Sequence, residues 1–342
     1  MKASYFGRLL LLPIIICFAG IDAQQEWTSL HRKFFSTQEL LANKHKHKIV
    51  YSKLDLPNFT QLIFSWNAAR PLHGYFTFWV QVRDSHTKKW TQWFKMIEWG
   101  KGVQRSFKSD LYRGIEYIHV RLETGKHFGD GFRIKVEPQG GADLSYLQGM
   151  NVALSDLTLF AAENKIHYLP SIMVKGVPTF SQFLLDHPRN AALCSPTSSA
   201  MVCSYLLQRI IDPLEFAEGS YDYGLEVYGS WPFNTAHMFE ISQGEIHSCV
   251  CRLPSFKHLY KELSKGLPVI VSVRGPLQGS ATPYSGGHLL VVVGWDAKTN
   301  EVICHDPAFD SSKAVIKRYP LQDFLLAWER SHRLAYVVEL AK

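Results

Sequence analysis

Between about residues 24 and 156, apolar and polar positions alternate with the two-residue period of half-buried strands. "TQLIFSWNA" (60–68), "GYFTFWVQVR" (74–83) and "KWTQWFKMIEW" (89–99) are β-branched and aromatic, and turn stretches such as "RPLHG" and "RDSHTKK" separate them. "IEYIHVRLE" (115–123) and "GFRIKVE" (131–137) continue the pattern between Gly-rich breaks. Several short strands with no convincing helix predict an antiparallel β-sandwich.

From about Asn164 the rhythm changes. "CSPTSSAMVCSYLLQRI", "SFKHLYKELSKG" and "LQDFLLAWER" (321–330) have helical spacing, whereas "LPVIVSV" (267–273), "HLLVVVGW" (288–295), "EVICHD" (301–306) and "LAYVVEL" (334–340) read as strands. Helices followed by antiparallel strands describe an α+β domain. The predicted organisation is a leader at 1–23, an all-β sandwich domain at 24–160 and an α+β domain at 161–342. No internal repeat or low-complexity segment interrupts it.

The leader, "MKASYFGRLLLLPIIICFAGIDA", has the parts of a secretory signal: Lys2 and Arg8, a short apolar core from Leu9 to Ala19, and Ala23 at a plausible cleavage point. Its apolar run of about a dozen residues is short of the roughly 20 needed to span a bilayer. Export to periplasm, cell surface or medium is therefore expected. Two of the 37 basic residues and one of the 30 acidic ones lie in it, so its removal lowers the formal charge from +7 to +6. The basic residues are dispersed, and the one dense run, "NKHKHK" (43–48), reads as a solvated loop. Neither nucleic-acid binding nor stable membrane insertion after signal removal is expected.

Five tryptophans fall between 66 and 99. Exposed on a sheet they could stack on sugars, but a sandwich core with edge packing accounts for them more simply. Five cysteines lie beyond the leader, all in the second half: Cys194, Cys203, Cys249, Cys251 and Cys304. An odd number excludes complete internal pairing, and this is not a disulfide scaffold. "HSCVC" (247–251) and "CHD" (304–306) suggest zinc, but a single C-x-C without a partner pair at finger spacing is weak support. No metal and no cofactor are expected.

The candidate chemistry starts at Cys194, at the mouth of the helix that "CSPTSSAMV" opens. Pro196 falls in the first turn, where its missing N–H costs nothing, and Ser195 or Thr197 could cap the helix. The positive end of the helix dipole favours thiolate there. Cys203, inside the apolar stripe, reads as core. A nucleophile needs a base and the base an orienting group. His288 opens a strand after Gly286 and Gly287, and the turn "DAKTNE" returns the chain to Asp306. A hairpin centred near 297 places His288 directly opposite Asp306, on the same side of the sheet, with His305 facing the other way. Upstream, "VPTFSQF" (177–183) supplies Gln182, whose side-chain amide could donate to an oxyanion.

Together "VPTFSQ", "CSPTSSAMV", "GGHLLVVVGW" and "HDP" resemble the papain-fold cysteine peptidases related to bacteriocin-processing endopeptidases, the C39-like family, over residues 165–342. The resemblance is closest to secreted bacterial members in which "SWPFNTA" (230–236) recurs and a sandwich precedes the peptidase domain. "SWNA" and "WTQWFKMIEWG" carry that part of it. The resemblance implies a papain-like α+β fold with Cys194 as nucleophile, His288 as base, Asp306 as orienter and Gln182 at the oxyanion hole. One departure is Ser195, where the wider family has Gly, and a side chain there could narrow the site. The membrane and nucleotide-binding regions of transporter-linked members have no counterpart here, so coupling to leader-peptide export is not supported.

The function expected is an exported cysteine peptidase acting on a peptide or protein, with cell-wall peptides included. A thiol acyltransferase or cell-wall amidase on the same scaffold would use the same residues, and a catalytically inactive glycan- or peptide-binding protein would not need them. The acidic, aromatic "EFAEGSYDYGLEVYGSWPF" (215–233) could line the substrate cleft or be a surface loop packed on the domain.

Overall fold

The computed structural model describes residues 26–163 and 168–341; the predicted leader, 1–23, lies outside the described residues. The first strands are β1 (Thr28–Phe34), β2 (Ile49–Lys53), β3 (Gln61–Ala68), β4 (Tyr75–Asp84) and β5 (Phe94–Gly100). They are followed by β6 (Val103–Ser106), β7 (Glu116–Ile118), β8 (Arg121–Glu123), β9 (Gly129–Gln139) and β10 (Leu147–Ser155). They form two five-stranded sheets, ordered β1-β10-β3-β8-β7 and β2-β9-β4-β5-β6, with every pairing antiparallel. Side chains of both sheets, among them Phe64, Trp66, Phe78, Trp99 and Phe132, fill one core.

The alternation in the sequence has a direct structural cause. Phe76, Phe78, Val80 and Val82 of β4 and Phe132, Ile134 and Val136 of β9 point inward. Between them Trp79, Arg133 and Lys135 stand on the outer face, where Lys135 Nζ lies 4.8 Å from the Trp79 ring and 4.9 Å from that of Trp93. Arg133 stacks on Trp90 at 3.9 Å. Thus two of the five tryptophans, Trp66 and Trp99, are core, and the other three are half-exposed and interleaved with cations. Residues 44–48 of the "NKHKHK" run are exposed, as a solvated loop requires.

This region does contain a helix, contrary to the sequence expectation. α1 (Thr37–Asn43) is short, and its signal was "STQE": Ser36 caps the Glu39 N–H while Glu39 reaches back to the Ser36 N–H.

The C-terminal region comprises β11 (Ile172–Met173), α2 (Cys194–Leu207), α3 (Pro213–Ser220), α4 (Trp231–Ile241), β12 (Ile246–Arg252), α5 (Phe256–Ser264) and β13 (Val269–Gly275). β14 (Tyr284–Asp296), β15 (Glu301–His305), β16 (Ile316–Pro320), α6 (Leu321–Glu329) and β17 (Leu334–Leu340) complete it. Its strands form one antiparallel sheet ordered β12-β17-β13-β14-β15-β16, with β11 added on β14. α3 and α4 occupy a stretch that sequence patterning left without helices. α4 is buried from Pro232 to Phe239, so it lacks the polar face that reveals a surface helix.

The two regions are welded together. β3 is buried along its whole length because its second face meets β12, the edge of the larger sheet. Ser65 Oγ accepts from the Val250 N–H at 3.1 Å, and Asn67 Nδ2 donates to the Ser248 carbonyl at 3.0 Å. Side chains thereby satisfy an edge that would otherwise expose backbone groups. Phe233 of α4 enters the N-terminal core, with its ring 5.6 Å from Trp66 and 6.0 Å from Trp99.

Candidate active site

Cys194 is the first residue of α2 and is partly accessible. Residues Ser195 to Ser204 behind it are buried on all sides of the helix. The expected caps are not caps: the N-cap is Leu193, without a side-chain hydrogen bond. Ser195 Oγ instead lies 3.0 Å from the Tyr336 hydroxyl on β17. Ser195 is fully buried, so its side chain is absorbed by the core and does not narrow the cleft. One turn further, Ser198 Oγ donates to the Leu289 carbonyl at 3.1 Å. That bond fastens the helix to the strand residue next to His288. Cys203 is fully buried and its thiol is pushed up by burial, as a core cysteine should be.

His288 Nε2 is 2.7 Å from Asp306 Oδ1. The other ring nitrogen is left for Cys194, with which the imidazole is hydrogen-bonded. The predicted register is incorrect in detail. Asp296 pairs with Glu301, but a bulge between Val292 and Gly294 shifts the ladder, so that Val291 pairs with His305. Carrying that register one residue further places Asp306 beside Leu290, diagonal to His288, not opposite it. The error is two residues, and a two-residue shift keeps a side chain on its face. Without the bulge the offset would be odd and Asp306 would leave that face. His305 does face away, with its Nδ1 3.0 Å from the Pro178 carbonyl.

Asp306 is fully buried and saturated with donors. The Tyr284 and Tyr319 hydroxyls donate to Oδ2 at 2.7 and 2.6 Å, and the Ala308 N–H donates to Oδ1 at 3.0 Å. The Tyr284 ring also stacks on His288, with centroids 4.1 Å apart and planes 21° apart. Neither tyrosine was predicted. Tyr284 sits in a stretch that reads as a turn and Tyr319 on a weakly patterned strand.

Electrostatics follow the geometry. Burial favours the uncharged form of all three groups, and their mutual contacts reverse it. The Cys194 thiol lies below its ordinary value because the His288 hydrogen bond and charge, aided by the Leu289 and Ser195 N–H groups, outweigh burial. His288 is raised to about 10 because the Asp306 charge and hydrogen bond, then the Cys194 contact, outweigh burial. Asp306 is lowered, with the His288 charge and hydrogen bond overcoming its burial.

Gln182 is buried at the start of a short 3-10 turn, Gln182–Leu184. Its N–H donates to the Pro307 carbonyl at 2.9 Å, next to Asp306. Its Nε2 donates to the Asn190 carbonyl at 3.1 Å, in the turn leading into Cys194, which leaves the second Nε2 hydrogen unassigned. All four predicted residues therefore belong to one neighbourhood. The 215–233 segment behaves differently. Asp222 Oδ1 accepts from the Ser106 N–H at 2.8 Å, so the segment docks on β6, with Trp231 alone of its residues reaching a cavity beside the His288 strand.

Cys249 and Cys251 are buried on β12. The Cys249 thiol is drawn down by its neighbour Cys251 and by Arg32, whose Nη2 donates to Cys249 Sγ at 3.3 Å, against burial.

Residues 174–336 match the model of the Peptidase_C39 like family. An accessible thiol hydrogen-bonded to a buried imidazole, on a stretch that matches that family's model, defines a cysteine-type peptidase. No curated protein matches the chain. Solved structures similar to it include the following two. A Bacillus anthracis protein described as a C39-like peptidase is 18% identical, with 51% of this chain and 100% of that chain covered and a TM-score of 0.40. Xylellain, a cysteine protease from Xylella fastidiosa, is 12% identical, with 54% and 91% covered and a TM-score of 0.33.

Proposed function

We propose that the protein is an exported cysteine peptidase that hydrolyses peptide or amide bonds through Cys194, His288, Asp306 and Gln182. The observation that carries this reading is the single imidazole bridging a partly accessible thiol and a fully buried carboxylate. His288 takes the Cys194 proton, and Asp306 stabilises and orients the imidazolium. The thiolate attacks the carbonyl carbon. The Cys194 N–H, unpaired within the helix at its N-terminus, and the second Nε2 hydrogen of Gln182 receive the oxyanion. His288 protonates the departing amine, leaving a thioester. Water, deprotonated by His288, then releases the acid and restores the thiol.

The two N-terminal sheets and their shared core support a β-sandwich spanning 24–160, and the helix-then-sheet order supports a papain-like α+β domain spanning 161–342. The basic start, short apolar core and Ala23 of the leader support export. The substrate is then a peptide or protein outside the cytoplasm, cell-wall peptides included. Incubation with a peptide library in 18O-labelled water tests the mechanism. Hydrolysis puts the label in new carboxyl termini and is lost in Cys194→Ala. New amides in place of labelled acids would indicate acyl transfer, and an unreactive Cys194 with no product would exclude both.

A further inference from the structure

Beside the His288 strand, the N- and C-terminal regions border an open cavity of about 260 Å³. Gln61, Arg121, Glu123 and Leu157 line it from one side; Arg252, Arg274 and Arg330 line it from the other. Gly286 and Gly287 form part of its wall. Gly287 has φ +92°, and a Cβ on either glycine would meet nothing within 4 Å, so the wall is open immediately before His288.

The charge around this cavity is unbalanced. Four arginines face one carboxylate, and that carboxylate, Glu123, is already engaged by Arg121 and by Gln61 Nε2 at 2.9 Å. Arg252 is 6% exposed, yet all its acceptors are neutral. Gln61 Oε1 takes bonds from Nε and one Nη at 3.0 and 2.6 Å, and the carbonyls of Ser331 and His332 take the other Nη at 2.6 and 2.9 Å. These are four of its five N–H donors. A buried guanidinium with no carboxylate bonded to it is costly, and burial lowers its pKa to about 9, with the Arg121 charge adding to the effect and the Glu123 charge opposing it. Arg274 and Arg330 are exposed and held by carbonyls: Arg274 Nε by Ser285 at 3.0 Å, and Arg330 Nη1 by Pro276 at 3.0 Å. Their remaining donors are free to take a carboxylate bidentately.

We propose that this cavity is a substrate subsite for a carboxylate, so that the enzyme selects peptides presenting an acidic group beside the scissile bond. The inference rests on the peptidase reading and adds the substrate class. It also gives the N-terminal sheets a part in recognition, because Arg121 and Gln61 belong to them.

Two measurements on the full chain separate this inference from the mechanism. The first is cleavage of peptides paired as Glu/Gln and Asp/Asn around one bond, and as free or amidated C-termini, which distinguishes side-chain from terminal carboxylate. The acid member should be cleaved at least about tenfold faster in kcat/KM, mostly through KM, and an Arg274→Gln/Arg330→Gln double variant should collapse the ratio towards one. The second is calorimetric binding of the same peptides to Cys194→Ala, where turnover is removed. It should show the same preference, weakening with salt. Cleavage or binding that is indifferent to acid against amide, or a preference that survives the double variant, overturns the subsite. Acid-selective binding without any cleavage by the wild type keeps the anion site and overturns the peptidase mechanism.

Discussion

His288 and Asp306 share a 2.7 Å hydrogen bond although neither is the cross-strand partner of the other. The bulge between Val292 and Gly294 sets the parity that lets them meet, and two tyrosine hydroxyls fix the carboxylate from behind. Asp306→Asn keeps the volume and removes the charge. It should lower kcat by roughly 10²–10⁴-fold, with KM much less affected, as for other orienting carboxylates. Steady-state kinetics on any substrate found in the library would check this, and an unchanged kcat would remove Asp306 from the mechanism.

The thiol provides a second test. Cys194 labelling by iodoacetamide should be fast below pH 7 in the wild type, because the imidazolium stabilises the thiolate. In His288→Ala burial is opposed only by the Leu289 and Ser195 N–H groups, so labelling should rise only near the free-thiol pKa of about 8.5. Rates measured from pH 4 to 9 with peptide mapping of the label decide it. Identical profiles would mean that His288 does not activate the sulfur.

Removing a donor from Asp306 should cost both stability and rate. Tyr319→Phe leaves Oδ2 with one hydroxyl instead of two, and a buried carboxylate that loses a hydrogen bond destabilises the fold by about 1–3 kcal/mol. Urea denaturation would show this as a lower midpoint with an unchanged slope. Tyr284→Phe, which retains the ring over His288, should behave similarly. No change in either variant would mean that the carboxylate is solvated in solution.

The pair also links stability to pH, with opposite signs at its two ends. Asp306 is lowered in the fold, so its contribution is present above the ordinary carboxylate pKa of about 3.9 and is lost as pH falls through the lower folded value. His288 is raised to about 10, so its contribution is complete below about 6.5 and fades as pH rises towards 10. The stability advantage of wild type over His288→Gln should therefore be largest near pH 6 and shrink with alkalinity. An advantage that grew from pH 6 to 9 would contradict the pairing.

Phe233 tests the weld between the two regions. It is fully buried against Trp66 and Trp99, and Phe233→Ala should cost about 3–5 kcal/mol. If the regions unfold together, the loss should appear in one thermal transition, not as a separate early melting of either half.

Much of this site was legible in the chain because each chemical group stands at the end of an element: Cys194 at a helix start, His288 after two glycines, Asp306 just beyond a strand. The hairpin register was not. A bulge is a local accommodation of one extra residue, and nothing in "LLVVVGWD" marks which valine is extra. Ser195 and Thr197 looked like caps because small hydroxyl residues favour that position, yet tertiary packing turned Ser195 towards Tyr336. Tyr284 and Tyr319 were invisible because their role exists only once distant strands close around Asp306. α4 escaped notice because it is buried on every side, and a helix without a polar face has no period to read.

The cysteines divide the molecule's chemistry in a further way. Cys203, Cys249, Cys251 and Cys304 are free and buried, and Cys194 is the more accessible sulfur. No cross-link among the described residues supports the fold, so a reductant has nothing structural to break. An oxidant meets the working sulfur first. On the proposed mechanism, redox conditions would then act on turnover through Cys194 without breaking a cross-link among the described residues.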